Sequence, residues 1–320
     1  MTKSYIDPNF KILSQNKECF SAEYLEYRKK WIEYPEKFIT TNSPIHLDIE
    51  THTRCNLKCV MCFHSFDPPT PLKLPDEVVY RIIDEASKLG VCSIKFQYRG
   101  EPLLDKRIPD FVKYAKDKGI IEVMFNSNAT LLTSSMINKL IESGLDKIIC
   151  SVDGFEDGTY EKVRVGSNFH TILNNIRNLQ KIKEERKSKT PILRVQTVEN
   201  EYIENRIDEY LTFWRDIADD VGIEKLLNYN VQEEDTTIKK GFACAQLWQR
   251  LIILADGDVL PCCRATRGGN EKLMVVGNIF KNTVEEIWTN TLMNKIRELH
   301  KSGNSHELRM CRLCGLRELY

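Results

Sequence analysis

From residue 44 onward, short apolar runs alternate along the chain with longer amphipathic stretches. The short runs are strand candidates at residues 45–51, 93–98, 121–126, 147–152, 192–198 and 225–230. The stretches between them carry apolar residues at helical spacing and mostly end in glycine, which readily adopts the left-handed conformation that closes a helix. Alternating strands and helices are typical of parallel βα units. The pattern therefore predicts an α/β fold built as a partial (β/α)6 TIM-like barrel.

The pattern differs at the two ends of the chain. Residues 1–43 are polar and aromatic, with a helix predicted at about 21–31, and carry no chemical motif. After about residue 231 the βα repeat gives way to polar turns, cysteine-rich turns and a predicted helix near 284–300. We therefore expect an N-terminal extension at 1–43, a barrel core at 44–231 and a small appended domain at 232–320.

Charge and hydropathy narrow the class of protein. The chain has 46 Lys and Arg against 46 Asp and Glu, so it lacks the basic excess that attracts nucleic acid or an anionic membrane. No stretch approaches the roughly 20 apolar residues that span a bilayer, and the first residues lack the apolar core of a signal peptide. We expect a cytoplasmic protein. Its 11 cysteines then indicate metal binding or catalysis rather than disulfides.

Three of these cysteines follow the first predicted strand in the segment TRCNLKCVMC. Cys55, Cys59 and Cys62 have the spacing C-x3-C-x2-C on one short loop. A four-iron cluster normally takes four cysteines, so three leave one iron open to a ligand that is not protein. An open position distinguishes a reactive metal site from a structural one. The alternative is a zinc knuckle completed by His52 or His64.

This cysteine spacing after the first strand of a partial barrel resembles the radical S-adenosylmethionine (SAM) superfamily, over roughly residues 44–230. The resemblance implies a [4Fe–4S] cluster whose open iron is chelated by SAM. Reductive cleavage of SAM would then yield a 5′-deoxyadenosyl radical that abstracts hydrogen from a substrate. It also implies an electron donor such as flavodoxin or ferredoxin. Family members usually carry an aromatic residue before the third cysteine, where this chain has Met61.

Further segments at the predicted strand ends resemble cofactor-binding segments of the same superfamily. YRGEPLL resembles its GGEP segment, with Arg99 in place of the first glycine, and FNSNATLL, SVDG and YEKVRVGSNF resemble later ones. In the family these segments contact the methionyl amino group, the ribose and the methionyl carboxylate. The resemblance thus implies SAM contacts at Gly100, Glu101, Asn128, Ser151, Asp153 and Arg164. The alternative for each is an ordinary loop or surface residue.

A second group of cysteines lies in the C-terminal part. Cys244, Cys262, Cys311 and Cys314 supply four thiolates, enough to saturate one cluster or one zinc ion. The segments LIILADGDVLPCC, GNIF and MCRLCG resemble the SPASM and twitch extensions of radical enzymes. This resemblance implies an auxiliary [4Fe–4S] cluster and thus two clusters in the protein. Full SPASM domains hold two auxiliary clusters on seven cysteines. This chain has ligands for only one auxiliary cluster. In this it resembles the shorter twitch-type arrangement of an aminocyclitol dehydrogenase.

Cys263 is left over beside these ligands. Some radical epimerases use a thiol to return a hydrogen atom, so Cys263 is a candidate catalytic residue. A spare thiol or an alternative ligand is the other interpretation.

The resemblance favours a small polar substrate, sugar-like or aminocyclitol-like, that is oxidised or epimerised. A peptide-modifying maturase is the first alternative, although about 43 residues before the first strand leave no room for a fused leader-binding domain. An iron–sulfur electron carrier or a structural metal protein is the alternative from another class, and it predicts no cleavage of SAM.

Overall fold

A nine-stranded sheet organises the molecule, for which the computed structural model describes residues 21–225 and 241–318. The strands are β1 (His46–Ile49), β2 (Ser93–Lys95), β3 (Glu122–Ser127), β4 (Lys147–Ser151), β5 (Ile192–Val198), β6 (Asp220–Glu224), β7 (Arg250–Ile253), β8 (Asp258–Leu260), β9 (Thr266–Arg267), β10 (Glu271–Lys272) and β11 (Gly277–Asn278). The order is β11-β8-β7-β1-β2-β3-β4-β5-β6, with β9 and β10 forming a separate hairpin. Strands β1 to β6 pair in parallel, which confirms the partial barrel.

Helices connect the strands and extend the chain at both ends. The α-helices are α1 (Ala22–Glu36), α2 (Asp76–Lys88), α3 (Ile108–Asp117), α4 (Ser134–Glu142), α5 (Tyr160–Val163), α6 (Phe169–Glu185), α7 (Ile207–Arg215), α8 (Val284–Thr289), α9 (Thr291–Lys301) and α10 (Arg309–Arg312). Short 3-10 helices lie at Phe63–Ser65, Pro102–Leu104, Ala245–Trp248, Ser305–Glu307 and Gly315–Glu318. Among the described residues, none of these helices is both long and apolar enough to cross a membrane.

The sixth strand differs from its prediction. The sequence pattern placed it at 225–230, most of which lies outside the described residues, whereas β6 spans Asp220–Glu224. The prediction was wrong because the helical pattern of α7 was extended too far. At Gly222 a Cβ atom would lie 2.0 Å from Nη2 of Arg194, so the glycine makes room for this guanidinium on the neighbouring strand. Tertiary packing therefore selects a glycine in a strand that propensity alone disfavours.

Apolar side chains cover the outer face of the barrel. Successive strand residues point to opposite faces of a sheet, and the outward set packs under the helices. The outward-facing side chains lie beside one another on neighbouring strands and are fully buried. They include Leu47, Ile94, Val123, Ile148 and Leu193. The main hydrophobic core therefore lies between sheet and helices, and the inner face is left to polar residues.

Helix α1 packs against the amino-terminal ends of the strands. Glu122, at the start of β3, accepts hydrogen bonds from the hydroxyls of Tyr24 and Tyr27, each at 3.1 Å. The Trp31 ring lies edge-on to His46, with 5.7 Å between ring centroids. The helix predicted at about 21–31 thus spans Ala22–Glu36 and lies at the end of the barrel opposite the cysteine loop.

The C-terminal part continues the main sheet. β7 pairs in parallel with β1, and β8 returns antiparallel to it. The predicted boundary at 231/232 lies outside the described residues, so the domain limits stay a prediction. The helix expected near 284–300 is two helices, because Asn290 is extended and its side chain caps α9 by accepting from the Met293 N–H at 2.8 Å.

Candidate functional site

The first cysteine loop follows β1, at the carboxyl end of the barrel. Cys59 is buried, and Cys55 and Cys62 are half-buried. The loop is pinned by backbone hydrogen bonds from Lys58 N to Val165 O and from Val60 N to Val163 O, each 3.0 Å long. Burial raises the pKa of all three thiols, so deprotonating them calls for a positively charged partner such as a metal cluster.

Glu101 lies at the end of β2, directly against this loop. Its backbone N–H donates to Arg54 O at 2.8 Å, and a Cβ on the preceding Gly100 would lie 2.6 Å from the same oxygen. The Glu101 carboxylate is 3% exposed and accepts from Ser127 Oγ and from the Asn128 N–H, both at 2.7 Å. Burial raises the pKa of Glu101, an effect that these hydrogen bonds oppose. The carboxylate is thus held in place beside the cysteines.

Asn128 ties the end of β3 to the cysteine loop. Its Nδ2 donates to Asn56 Oδ1 at 2.9 Å, and its Oδ1 accepts from the Thr130 N–H at 3.0 Å. Two of the residues implied as SAM contacts, Glu101 and Asn128, therefore form one hydrogen-bonded unit with the residue that follows Cys55.

The buried Asp153 and the half-buried Arg164 form an ion pair after β4. Arg164 Nε donates to Asp153 Oδ2 at 2.5 Å, while Asp153 Oδ1 accepts from the Val198 N–H at 2.9 Å and from Thr197 Oγ1 at 3.1 Å. Burial alone would lower the pKa of Arg164, but the Asp153 carboxylate holds it well above its usual value. Both Asp153 oxygens are therefore engaged within the protein, which favours a role in orienting Arg164.

Arg164 also reaches the first cysteine loop, where its Nη1 lies 3.7 Å from Cys59 Sγ. A half-buried guanidinium beside a thiol suits a site whose ligands are thiolates. Ser151 lies half-buried at the end of β4, at the same edge of the sheet.

The zinc alternative needs a histidine nitrogen near these cysteines. His52 Nδ1 accepts from the Arg54 N–H at 3.0 Å, and His64 Nε2 lies 3.1 Å from Arg99 O. Across residues 21–225 and 241–318, no three His, Cys, Asp or Glu side chains converge closely enough to hold a single metal ion.

The four cysteines predicted to hold the auxiliary cluster line one common recess. Cys244 and Cys262 come from separate turns, and Cys311 and Cys314 from a third, in which Cys314 N donates to Cys311 O at 3.3 Å. Burial raises the pKa of Cys244 to about 12 and also raises that of Cys262 well above its usual value. The remaining lining residues are Phe242, Gln246, Leu247, Arg264, His300, Met310 and Leu316. Two buried and two half-buried cysteines around one largely apolar recess fit a fully ligated cluster.

Cys263 is not among the residues that line this recess. Its backbone N–H donates to Gln246 Oε1 at 3.0 Å, and its Sγ accepts from Gln246 Nε2 at 3.2 Å. The Cys263 thiol is thus held by Gln246, near enough to Cys244, Cys262 and Cys314 to add to the effect of burial in raising the pKa of their thiols.

Two residues that sequence analysis missed connect the barrel with the C-terminal part. Arg99 forms a bidentate pair with Glu50 and also donates through Nη1 to Gly269 O at 2.5 Å. Next to it, the Tyr98 hydroxyl donates to Cys263 O at 3.0 Å. The strand end that leads into Glu101 therefore also contacts the loop after Cys262. Oppositely charged residues at the ends of adjacent parallel strands were the signal available in the sequence.

Comparison with known proteins gives two family matches. A sequence model of the radical SAM superfamily matches residues 49–207, and a model of SPASM, an iron–sulfur cluster-binding domain, matches residues 244–315. The second match indicates iron and sulfide rather than zinc at the C-terminal cysteines.

Among curated relatives, a probable GTP 3′,8-cyclase of Methanococcus maripaludis is 30% identical over 124 residues, which cover 38% of this chain and 41% of that protein. The chain thus aligns with about two fifths of that relative. The tungsten-containing aldehyde ferredoxin oxidoreductase cofactor-modifying protein of Pyrococcus furiosus is 24% identical over 85% of this chain and 88% of its own.

Two solved structures share the fold. BtrN in complex with AdoMet and 2-DOIA superposes with a TM-score of 0.56 at 18% identity, covering 86% of this chain and 94% of BtrN. Streptococcus suis SuiB bound to precursor peptide SuiA gives 0.58 at 17% identity, covering 86% and 71%. At these identities the likeness concerns the fold alone.

Proposed function

The chain belongs to the radical SAM superfamily and carries a SPASM-type iron–sulfur domain, and on this premise we propose that it abstracts hydrogen from a sugar-like or aminocyclitol-like substrate. Its cofactors are SAM and iron–sulfur clusters. When bound and reduced, the cluster on Cys55, Cys59 and Cys62 supplies the electron that cleaves SAM to the 5′-deoxyadenosyl radical. We propose oxidation or epimerisation as the outcome, with flavodoxin or ferredoxin as the electron donor.

The residues around the first cysteine loop are suited to holding SAM. Glu101 presents a fixed carboxylate for the methionyl ammonium, because Ser127 and Asn128 already orient it. Arg164 presents a guanidinium for the methionyl carboxylate, since the ion pair with Asp153 holds this guanidinium in place. Gly100, Asn128 and Ser151 stay proposed contacts at the same edge of the sheet. These groups bind and orient; their burial limits the access of water.

A buried acceptor on the inner face of the barrel carries the substrate proposal. Asn126 Oδ1, on β3, is buried and has no hydrogen-bond partner among the described residues. By strand alternation Asn126 shares the inner face with Glu122. An unpaired buried acceptor is unfavourable unless a ligand supplies the donor. A hydroxyl or amino group of a sugar-like or cyclitol-like molecule is such a donor.

The charges of the inner face support a substrate without a phosphate group. On the inner face, charged residues pair with one another: Asp48 on β1 lies 3.3 Å from Lys95 Nζ on β2 and 3.2 Å from Arg250 Nη1 on β7. Ser151 and Gln196, register neighbours on β4 and β5, add neutral donors and acceptors to this face. Neutral donors and acceptors match hydroxyl groups better than phosphates.

Deuterium transfer tests this proposal. The reconstituted protein, with SAM and a strong reductant, is incubated separately with ring-deuterated aminocyclitols, sugars and GTP, and the mass of the 5′-deoxyadenosine is measured. Deuterium from a cyclitol or sugar is expected, and deuterium from GTP alone would contradict the substrate class. Asn126→Leu should reduce transfer about tenfold through loss of one buried hydrogen bond. Asn138→Leu on the exposed face of α4 is the matched control.

Cys263 stays the proposed hydrogen donor for an epimerisation. Its thiol lies near the proposed auxiliary ligands and already accepts a hydrogen bond from Gln246 Nε2, which supports a role other than ligation. Cys263→Ala should stop epimerisation while SAM cleavage continues. Cys92→Ala, at a buried cysteine that clusters with Tyr27 of α1 and Ile45, is the control. An unchanged rate of product formation would exclude this role.

Peptide modification is the second candidate, supported by the likeness of fold to SuiB in complex with its precursor peptide. It predicts deuterium transfer from a deuterated precursor peptide encoded beside the gene and none from small polar molecules.

A further inference from the structure

His300 lies between two of the cysteine-bearing turns of the C-terminal part. It is in the last turn of α9, is 1% exposed and lines the recess of the four cysteines. Its Nδ1 accepts from the Cys244 N–H at 3.0 Å, and its Nε2 lies 3.2 Å from Cys311 Sγ. The imidazole therefore spans the backbone of one proposed cluster ligand and the sulfur of another.

The hydrogen bond at Nδ1 assigns the tautomer of His300. A neutral imidazole has one N–H and one acceptor nitrogen, and a nitrogen that accepts a backbone N–H bears no proton. The proton is therefore on Nε2, which faces Cys311 Sγ. His300 is accordingly an N–H donor to that sulfur, held by the Cys244 backbone.

The surroundings strengthen this hydrogen bond. Apolar side chains line much of the recess, among them Phe242, Leu247 and Met310. In such a medium a hydrogen bond to an anionic sulfur is stronger than in water. α9 fixes the ring further, because its N-terminus is capped by Asn290 and its inner face is buried.

We propose that His300 raises the reduction potential of the auxiliary cluster through the Nε2–H···Sγ bond to Cys311. The inference rests on the proposed ligand set of Cys244, Cys262, Cys311 and Cys314. Reduction adds one electron and places more negative charge on the sulfurs, so a hydrogen bond to a sulfur stabilises the reduced form. His300 touches neither substrate nor SAM and acts through Cys311. A raised potential suits a cluster that accepts the electron when a substrate radical is oxidised.

The test isolates the auxiliary cluster in the full chain. In a parent variant with Cys55, Cys59 and Cys62 replaced by Ala, His300 is changed to Met or to Gln. Met matches the length of Gln but has no N–H, whereas Gln retains an N–H donor for Cys311 and an oxygen for the Cys244 N–H. Each protein is reconstituted with iron and sulfide and titrated with dithionite, whose electron reduces the cluster, while the reduced form is followed by electron paramagnetic resonance.

At the midpoint potential of the parent, His300→Met should lower the ratio of reduced to oxidised cluster at least tenfold, which corresponds to a shift of about 59 mV for one electron. His300→Gln should stay within about threefold of the parent, which on the same scale is less than half that shift. An unchanged ratio in His300→Met, with the cluster intact, would overturn the proposal. A parent that binds no cluster would instead overturn the proposed ligand set.

A second measurement needs no substitution of His300. In the parent labelled with ¹⁵N-histidine, the reduced cluster should show a weak ¹⁵N hyperfine coupling, as expected for a hydrogen-bonded imidazole. A coupling as large as that of a directly ligated nitrogen, or none, would contradict the proposal. If His300→Met does not assemble its cluster, this coupling tests the hydrogen bond from His300 to Cys311 instead.

Discussion

The guanidinium of Arg99 meets the carboxylate of Glu50 in a bidentate pair, with Nε 2.7 Å from Oε1 and Nη2 2.6 Å from Oε2. Glu50 is fully buried and Arg99 is 8% exposed. Glu50 Oε2 also accepts from the Ala255 N–H at 3.1 Å. The pair therefore joins the ends of β1 and β2 to the turn after β7, next to the segment that carries Glu101.

Removal of one partner should be strongly destabilising. Arg99→Leu leaves a buried carboxylate without its cation, and we expect a loss of about 3–5 kcal/mol in the free energy of unfolding. The double variant Glu50→Leu/Arg99→Leu should lose less, because no buried charge remains. The wild type, the two single variants and the double variant form a double-mutant cycle, and urea unfolding of all four measures the coupling energy between Glu50 and Arg99. A single variant as stable as the wild type would contradict the description of this pair.

This pair also shows where sequence reasoning stops. The βα periodicity was sufficient for the barrel and for β5, whose predicted and observed limits coincide at 192–198. Arg99 appeared in the sequence only as a departure from a glycine motif, because its partner is 49 residues away and the register of β1 against β2 is needed to bring them together. His300 was missed for the same reason, since a histidine on an amphipathic helix has no local signature.

The cysteines were more predictable than the residues around them. Spacing alone grouped Cys311 with Cys314, and the structure brings Cys244 and Cys262 to the same recess. The pairing of Asp153 with Arg164 depended instead on the turn between β4 and α6, which no periodicity encodes.

Glu101→Gln should weaken SAM binding. The change preserves shape but replaces a charge-assisted hydrogen bond to an ammonium by a neutral one, a difference of about 1.5 kcal/mol or more, or at least tenfold in Kd. Calorimetric titration of the reconstituted protein with SAM measures it. Asp117→Asn, at an exposed end of α3, is the matched control. Equal affinities of Glu101→Gln and the wild type would remove Glu101 from the site.

Asp153→Asn should weaken SAM binding indirectly. The neutral amide that replaces the Asp153 carboxylate would no longer fix Arg164 by an ion pair, so the guanidinium would lose its orientation toward the proposed carboxylate of SAM. We expect Arg164→Met to raise Kd at least tenfold, by loss of a charge-assisted pair, and the double variant to be little worse than Arg164→Met. Additive effects of the two changes would indicate that Asp153 binds SAM by itself.

The lowered pKa of Lys147 makes the stability of the protein depend on pH. Burial lowers the pKa of this lysine to about 8, and the nearby Glu122 carboxylate opposes the shift. The unfolded chain retains an ordinary lysine pKa and so binds more protons between about pH 8 and pH 10.4, which makes stability rise with pH in that window.

Replacement of Lys147 by Met removes this titration. The variant should be more stable than the wild type near pH 7, and its advantage should shrink by about 1 kcal/mol between pH 7 and pH 9. Urea unfolding of both proteins at pH 7 and pH 9 measures the difference between their free energies of unfolding. The titration of every group that the two proteins share cancels in this difference. An advantage that grows with pH would contradict a lowered pKa.

Two clusters and SAM cleavage are tested together by the yield of 5′-deoxyadenosine and the iron content after anaerobic reconstitution, with dithionite and SAM. We predict about eight irons and nucleoside formation for the wild type, and about four irons without nucleoside when Cys55, Cys59 and Cys62 are replaced together. Replacement of Cys244, Cys262, Cys311 and Cys314 should also leave about four irons, now with SAM cleavage retained. Cleavage of SAM by the first variant, or zinc in place of iron in the wild type, would contradict the central claim.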